Sequence, residues 1–276
     1  PTGLLELDAT LGGLHPRQLI SIAGRPGDGK SALALKIIDA VAESGKRVNF
    51  QCIEMGVAET IKRHLAMKCR IDHFDLRLGA FSDEERTKID EQLGPLANYQ
   101  AWLNVSNPQT PEGIHSDYYK SKPHLVIVDY LQIVSPSVKE RDRSREREVA
   151  QMANTMKQIA MKHDIPVVML SQMNREYEKR AGGEPQKSDL RESGEIEQVS
   201  DVIIFVYRPD MKRDKRLIER YNLQESDLSN ARIIKIAKQR NAAEDKIIVR
   251  FEPRYVRFDT LERRSTYEFR PSSMGN

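Results

Sequence analysis

The clearest chemistry in this sequence lies between Gly24 and Ser31, where the chain reads Gly-Arg-Pro-Gly-Asp-Gly-Lys-Ser. An apolar stretch precedes this G-x-x-x-x-G-K-S spacing, and helix-forming residues follow it. Glycines let such a loop curl so that backbone N–H groups point at phosphate oxygens beside a helix N-terminus. We predict a nucleoside triphosphate site with Lys30 on the β and γ phosphates; a Gly-rich turn in the core is the alternative. The predicted cofactor-binding residues are Gly24, Gly27, Asp28, Gly29, Lys30 and Ser31.

Two carboxylates are candidates for the metal and for catalysis. Asp129 ends the apolar run Leu-Val-Ile-Val-Asp, the form that places a carboxylate beside a phosphate loop to orient the water shell of Mg²⁺. We therefore predict that Ser31 and Asp129 hold Mg²⁺. Glu54 follows the apolar run 48–53, so it lies at the carboxyl end of a predicted strand, where ligands bind in open α/β sheets. We predict that Glu54 is the base that polarises the attacking water; a capping or surface glutamate is the alternative.

Gln172 ends a third apolar run, 167–171, and its amide is suited to detect the γ phosphate. The polar stretch from Arg175 to Gly194 follows directly, and long loops of this kind inside a compact domain are usually functional. Because this loop directly follows Gln172, we predict that the presence or absence of the γ phosphate changes the position of the loop, and that the loop can bind nucleic acid. The charged run 139–148 reads as a solvated segment, with nucleic-acid binding as the alternative.

These residues need a sheet whose strands end at one edge. Short apolar runs alternate with helical patterns at 57–69, 83–93 and 149–163. That alternation predicts an α/β fold, a mostly parallel twisted sheet with helices on both sides and an antiparallel hairpin at the end. The predicted strands are 19–23, 48–53, 101–105, 125–128, 167–170, 202–206, 232–237 and 247–251.

Length and composition fit one domain over residues 1–276, although two small domains would also fit. The 44 basic and 41 acidic side chains nearly balance, so any nucleic-acid surface must come from local clustering of basic residues.

The two cysteines, Cys52 and Cys69, lack the spacing of metal ligands, and no apolar run is long enough for a membrane span. We therefore expect a cytoplasmic protein without membrane contact. Pro1 in place of methionine suggests a piece of a longer polypeptide.

Several longer motifs occur in the order found in DnaB-type replicative DNA helicases. The chain therefore resembles the C-terminal RecA-like ATPase domain of that family, possibly a phage or plasmid member, over nearly its whole length. Besides the phosphate loop, the matching segments are Thr2-Gly3, Leu7-Asp8, Gly12-Gly13-Leu14, Ile53-Glu54-Met55, Val128-Asp129-Tyr130-Leu131-Gln132, Leu170-Ser171-Gln172-Met173-Asn174-Arg175, residues 188–198 from Ser188 to Gln198, and Lys238-Gln239-Arg240-Asn241.

The resemblance implies a homohexameric ring that hydrolyses ATP at subunit interfaces and moves 5′ to 3′ along single-stranded DNA. It implies that Lys238 and Arg240 are donated to the neighbouring subunit's nucleotide as a basic pair. It also implies that Arg191, Glu192 and Gly194 grip the DNA backbone. Primase and a helicase loader are the partners implied, through parts outside this chain, and the family's N-terminal domain is expected to be missing.

The sequence departs from the family pattern in two places. Ala242-Ala243-Glu244-Asp245 stands where a Gly-Pro-Thr-Gly-like turn is usual, which puts the geometry of the basic pair in question. Asp28 stands where the family usually has an uncharged residue. Its carboxylate would repel phosphate unless it points away, so we expect only its backbone N–H to assist binding.

Three other classes share parts of this pattern. A RecA-type recombinase or regulatory ring ATPase has the same core without unwinding, and forms filaments or exchanges strands. A small-molecule kinase has the same phosphate loop, works as a monomer and ignores DNA. A module that binds nucleotide without turnover would tolerate Glu54→Gln.

Overall fold

The structure is a computed structural model that describes residues 1–52, 56–98, 101–104, 111–129, 145–174, 177, 180, 183–190, 194–239 and 244–261. Within this part of the chain, nine strands form one sheet in the order β3-β2-β4-β5-β1-β6-β7-β8-β9. The strands are β1 Leu19–Gly24, β2 Val48–Cys52, β3 Ala101–Asn104, β4 Leu125–Asp129, β5 Val167–Gln172, β6 Val202–Tyr207, β7 Ala231–Gln239, β8 Asp245–Glu252 and β9 Arg257–Thr260.

The first six strands are parallel, and the last three are antiparallel. This confirms the predicted α/β sheet, its eight strands and its terminal hairpin. Strand β9 extends the hairpin by one strand that the sequence did not predict. Its four residues contain a single large apolar side chain, Phe258, so the alternating pattern of a strand is too short to recognise.

Helices fill the connections. Those at 57–69, 83–93 and 149–163 were predicted, and the structure extends the second and third of them. The helices are α1 Leu5–Leu11, α2 Lys30–Glu43, α3 Val57–Cys69, α4 His73–Leu78, α5 Asp83–Asn98, α6 Pro111–Ser121, α7 Arg145–His163, α8 Gly194–Val199 and α9 Lys215–Arg220. None of the helices in the described ranges is long and apolar enough to cross a membrane.

The hydrophobic core lies on both faces of the sheet, as strands without polar alternation require. One cluster of buried side chains packs α2 against the sheet, and includes Leu33 and Ile37. A second packs α7 against the opposite face, and includes Met152 and Met156. A small third cluster joins α3, α4 and α5 beside the main core.

Asp39 fastens this small helical cluster to α2, the helix that follows the phosphate loop. Its carboxylate accepts hydrogen bonds from His64 Nε2 at 3.1 Å and from Lys68 Nζ at 3.3 Å, both on α3. Burial would raise the pKa of the Asp39 carboxyl, but the bonds and charges of His64 and Lys68 outweigh burial and hold the pKa below its ordinary value of 3.8. The ionised carboxylate therefore stabilises the folded state.

We expect Asp39→Asn to lower the free energy of unfolding at pH 7 by about 1.5–3 kcal/mol, the usual worth of hydrogen bonds to a charged group. Because the folded-state pKa is depressed, this stabilisation is complete above the unfolded pKa of 3.8 and disappears as the pH falls through the folded value. Urea unfolding at pH 7 and below pH 3.8 measures both effects. Glu43→Gln is the control, because Glu43 also bonds Lys68 but is 54 % exposed. Equal stability of Asp39→Asn and the parent at pH 7 would contradict the assignment.

Candidate active site

The phosphate loop, residues 24–31, joins the end of β1 to the first turn of α2. Gly29 precedes the helix with φ of 98°, a conformation that glycine adopts without strain. A Cβ atom added there would lie 2.7 Å from Phe258 Cζ, so both the backbone and the space require glycine. The loop thus aims the first N–H groups of a 14-residue helix at the cleft above it.

Lys30 and Asp129 meet at the base of this cleft. Lys30 Nζ lies 3.8 Å from Asp129 Oδ1, with the two side chains 9 % and 0 % exposed. Strand β4, which ends at Asp129, is separated from β1 by β5 alone, so the parallel order carries the carboxylate to the loop. In P-loop NTPases, a lysine of the phosphate loop contacts the β and γ phosphates, and an aspartate of the Walker B strand helps to hold Mg²⁺.

Gln172 lies on the same edge. It is the last residue of β5 and sits in register with Gly24 of β1. The cleft has a volume of about 360 Å³. Its lining residues are Arg25, Pro26, Gly27, Gly29, Lys30, Ser31, Ala32, Arg63, His73, Gln172, Phe251, Pro253 and Val256.

Arg232, which the sequence places only at the start of a strand, supports the loop from below. Its fully buried guanidinium donates to the carbonyl oxygens of Asp28 at 3.2 Å and Gly27 at 3.4 Å. The guanidinium also lies 4.9 Å from the Phe251 ring centroid, and Phe251 stacks on Phe258. Burial, with a smaller contribution from Arg208, lowers the pKa of Arg232 to about 10, so it stays charged at neutral pH.

The Asp28 carboxylate is directed away from the cleft that Lys30 lines. It lines a neighbouring cleft with Arg208, whose Nε lies 3.6 Å from Asp28 Oδ1, and it accepts the Arg25 N–H at 3.3 Å. Burial raises the pKa of the Asp28 carboxyl despite the nearby positive charge of Arg232. The Asp28 N–H donates to the Arg25 carbonyl at 3.1 Å, which closes the turn of the loop. An acidic residue is therefore compatible with phosphate binding at this position.

Comparison with known proteins decides the family. The model of the DnaB-like helicase C-terminal domain matches residues 1–260. The chain belongs to this family. The resemblance inferred from the motifs is confirmed, and so is the RecA-like fold, because solved helicase ATPase domains superpose on this structure.

The relatives are replicative helicases. DnaC of Bacillus subtilis is 33 % identical over 96 % of this chain, and DnaB of Geobacillus stearothermophilus is 32 % identical over the same share. The chain spans 57 % of the length of each of these relatives. A solved DnaB-like replicative helicase, described with its interactions with primase, matches with a TM-score of 0.84 and 32 % identity, covering 95 % of this chain and 62 % of that one. A separately solved ATPase domain matches with the same TM-score, and this chain covers 91 % of it.

In this member of the DnaB-like family, Lys238 contacts another segment of its own chain. Its Nζ donates to the carbonyl of Glu197 at 2.5 Å, near the end of α8. The residues Glu54, Arg191, Glu192 and Arg240 lie outside the described part of the chain, and their predicted roles stay predictions. Gly194, the third residue predicted to grip the DNA backbone, begins α8, and its predicted role also stays a prediction.

Five cleft residues outside the phosphate-loop motif had no signal in the sequence. Arg63 and His73 line the cleft from α3 and α4, Phe251 lines it from β8, and Pro253 and Val256 line it from the turn after β8. Arg63 and His73 both contact Glu59, at 3.2 and 3.0 Å. The helical pattern of 57–69 predicts a buried stripe on α3, and it does not show which polar residue of this helix faces the cleft.

Proposed function

We propose that this chain is the ATPase motor of a ring-forming replicative DNA helicase. The single observation that carries the proposal is the Lys30 ammonium held 3.8 Å from buried Asp129 at the head of the phosphate loop. Family membership supports the class of motor, since the matching relatives are named replicative DNA helicases. The reaction is ATP hydrolysis, which drives 5′ to 3′ movement on single-stranded DNA and separation of the duplex.

Each residue has a role in that reaction. Lys30 neutralises the β and γ phosphates, Glu54 orients the attacking water, and Gln172 reports the presence of the γ phosphate. Mg²⁺ would be held by the Ser31 hydroxyl and the Asp129 carboxylate, and it would neutralise charge that develops on the phosphates. The fit rests on the buried Asp129 carboxylate, which lies 3.8 Å from the ammonium of Lys30, a residue that lines the cleft together with Ser31. Mg²⁺ prefers oxygen ligands and commonly takes one or two carboxylates plus phosphate oxygens.

The ring and its partners complete the proposal. Lys238 and Arg240 act on the neighbour's nucleotide in a hexamer, and the segment with Arg191, Glu192 and Gly194 binds the DNA backbone. The solved relative described with its interactions with primase supports primase as a partner of the full-length protein. A helicase loader is the other partner, and the cytoplasm is the compartment.

Steady-state ATP hydrolysis with and without oligo-dT tests the proposal. We expect turnover to rise with DNA and the stimulation to weaken as salt increases, because phosphate contacts dominate binding to single strands. Forked DNA duplexes that offer the protein a single-stranded 5′ tail or a single-stranded 3′ tail for loading then test unwinding. We expect strand separation only when the protein loads on the 5′ tail. Strand exchange without unwinding would establish a recombinase instead. Turnover that ignores DNA at every protein concentration would establish a self-contained P-loop enzyme.

A further inference from the structure

Two lysines lie directly opposite each other on the terminal hairpin. Lys235 of β7 and Lys246 of β8 are partners in the antiparallel register. Like charges in such a cross-strand pair destabilise a sheet. A carboxylate from another part of the chain is needed to neutralise them.

Glu184 supplies that carboxylate. Its Oε1 lies 2.5 Å from Lys235 Nζ, and its Oε2 lies 2.6 Å from Lys246 Nζ. Lys235 Nζ also donates to the carbonyl of Pro185 at 2.9 Å. Burial would raise the pKa of Glu184, but the two lysines hold it below its ordinary value. With Lys235 only 12 % exposed, these contacts are shielded from salt more than a surface pair is.

A β-bulge brings a third lysine onto the same face of β7. Ile203 and Ile204 of β6 pair with Lys238 and Ile236, so Ala237 is the extra residue on β7. The bulge reverses the alternation, and Lys238 faces the same side as Lys235. Lys238 Nζ donates to the carbonyls of Glu197 at 2.5 Å and Gln198 at 3.4 Å.

Strand β7 therefore holds both ends of one segment. Lys235 contacts residues 184–185, and Lys238 contacts residues 197–198. The residues predicted to grip DNA, Arg191, Glu192 and Gly194, lie between these two contacts in sequence. Lys187 adds a contact to Glu244, just before β8, at 3.2 Å. The chain leaves β7 at Gln239 and continues directly to Arg240. The same strand thus connects the segment predicted to grip DNA to the residue predicted to reach the neighbouring nucleotide.

We propose that Glu184 is a positioning residue that couples DNA binding to ATP turnover by fastening the DNA-contacting segment to the β7–β8 hairpin through Lys235 and Lys246. This inference rests on the proposed function. A contact that only stabilises the fold would change basal and DNA-stimulated turnover alike. A coupling contact changes the ratio between them.

Glu184→Gln keeps the shape of the side chain and removes its charge. We expect the ratio of DNA-stimulated to basal ATP turnover to fall about fivefold or more, the lower range of measured coupling between sites, while basal turnover stays at the parent level. Exchanging the charges, Glu184→Lys with Lys246→Glu, restores an opposite-charge contact and is expected to restore most of the stimulation. Glu219→Gln is the matched control, because Glu219 pairs with Lys215 at 3.9 Å on exposed α9.

The outcomes separate the inference from the proposed function. If the parent protein is not stimulated by oligo-dT, the proposed function fails, and the inference fails with it. If the parent is stimulated and Glu184→Gln is stimulated equally, the inference alone is overturned. If Glu184→Gln misfolds and loses basal turnover, the test passes to the charge-exchanged variant, Glu184→Lys with Lys246→Glu. If that protein is folded and hydrolyses ATP but is not stimulated by DNA, the inference is also overturned.

Discussion

Lys30→Met is expected to abolish ATP turnover and leave the fold in place. Methionine fills most of the space of the buried aliphatic stem but removes the ammonium that lies 3.8 Å from Asp129 Oδ1. Removing one preorganised donor to a reacting oxygen typically costs about 10²–10³ in kcat, and this residue also contributes to binding of the β and γ phosphates. A coupled ATPase assay and titration with a fluorescent nucleotide measure the two losses. Lys36→Met on the same helix is the control, because Lys36 does not line the cleft.

The Asp129 carboxylate allows the chemical and structural effects of Lys30→Met to be separated. The single variant removes a cation near a fully buried carboxylate, which lowers stability. Adding Asp129→Asn removes that charge, so we expect the double variant to recover stability relative to Lys30→Met while remaining inactive. Turnover by Lys30→Met at the parent rate would contradict the role given to the phosphate loop.

The features that the sequence predicted correctly are local or follow from strand order. The glycine spacing of the phosphate loop and the apolar runs ending at Asp129 and Gln172 are each contained in a few residues. Because parallel strands end at one edge, those runs bring Gln172 into register with Gly24 and Asp129 to Lys30. The sheet and the centre of the site were therefore accessible without a structure.

The features that the sequence did not show depend on contacts between distant segments. Arg232 bonds the carbonyl of Asp28 from far along the chain, and Phe258 occupies the space beneath Gly29. The sequence shows an arginine in an apolar strand and a phenylalanine near the end of the chain, with no indication of their partners. The direction of the Asp28 side chain depends on Arg208 and Arg232, so the sequence left it open.

The bulge in β7 is a further example. From the sequence alone, Lys238 is the polar end of a predicted strand. Regular alternation of side chains along that strand would place Lys238 on the face opposite Lys235. The register with β6 places both lysines on one face, where each contacts a different end of the same segment. The predicted trans role of Lys238 therefore requires it to leave the carbonyl of Glu197.

Arg240 gives the sharper test of action between subunits, because replacing Lys238 would also break its contact with Glu197 inside the subunit. We expect Arg240→Ala and Glu54→Gln each to lose turnover, by about 10³–10⁵ for a trans arginine and about 10²–10⁴ for a catalytic base. Mixing the two inactive proteins is expected to restore activity. In a head-to-tail ring, an Arg240→Ala subunit supplies an intact Glu54, and a Glu54→Gln neighbour supplies an intact Arg240.

Random assembly of equal amounts makes about one quarter of the interfaces complete, since each requires one variant on each side. Turnover should therefore recover to roughly that fraction of the parent activity if the sites act independently. Mixing Glu54→Gln with Lys30→Met is the matched control: both have a defective site and an intact Arg240, so no arrangement of the two completes an interface. Recovery in the first mixture and none in the second requires that Arg240 act across the interface. Inactivity in both mixtures, with oligomers confirmed by light scattering, would place Arg240 in its own subunit's site.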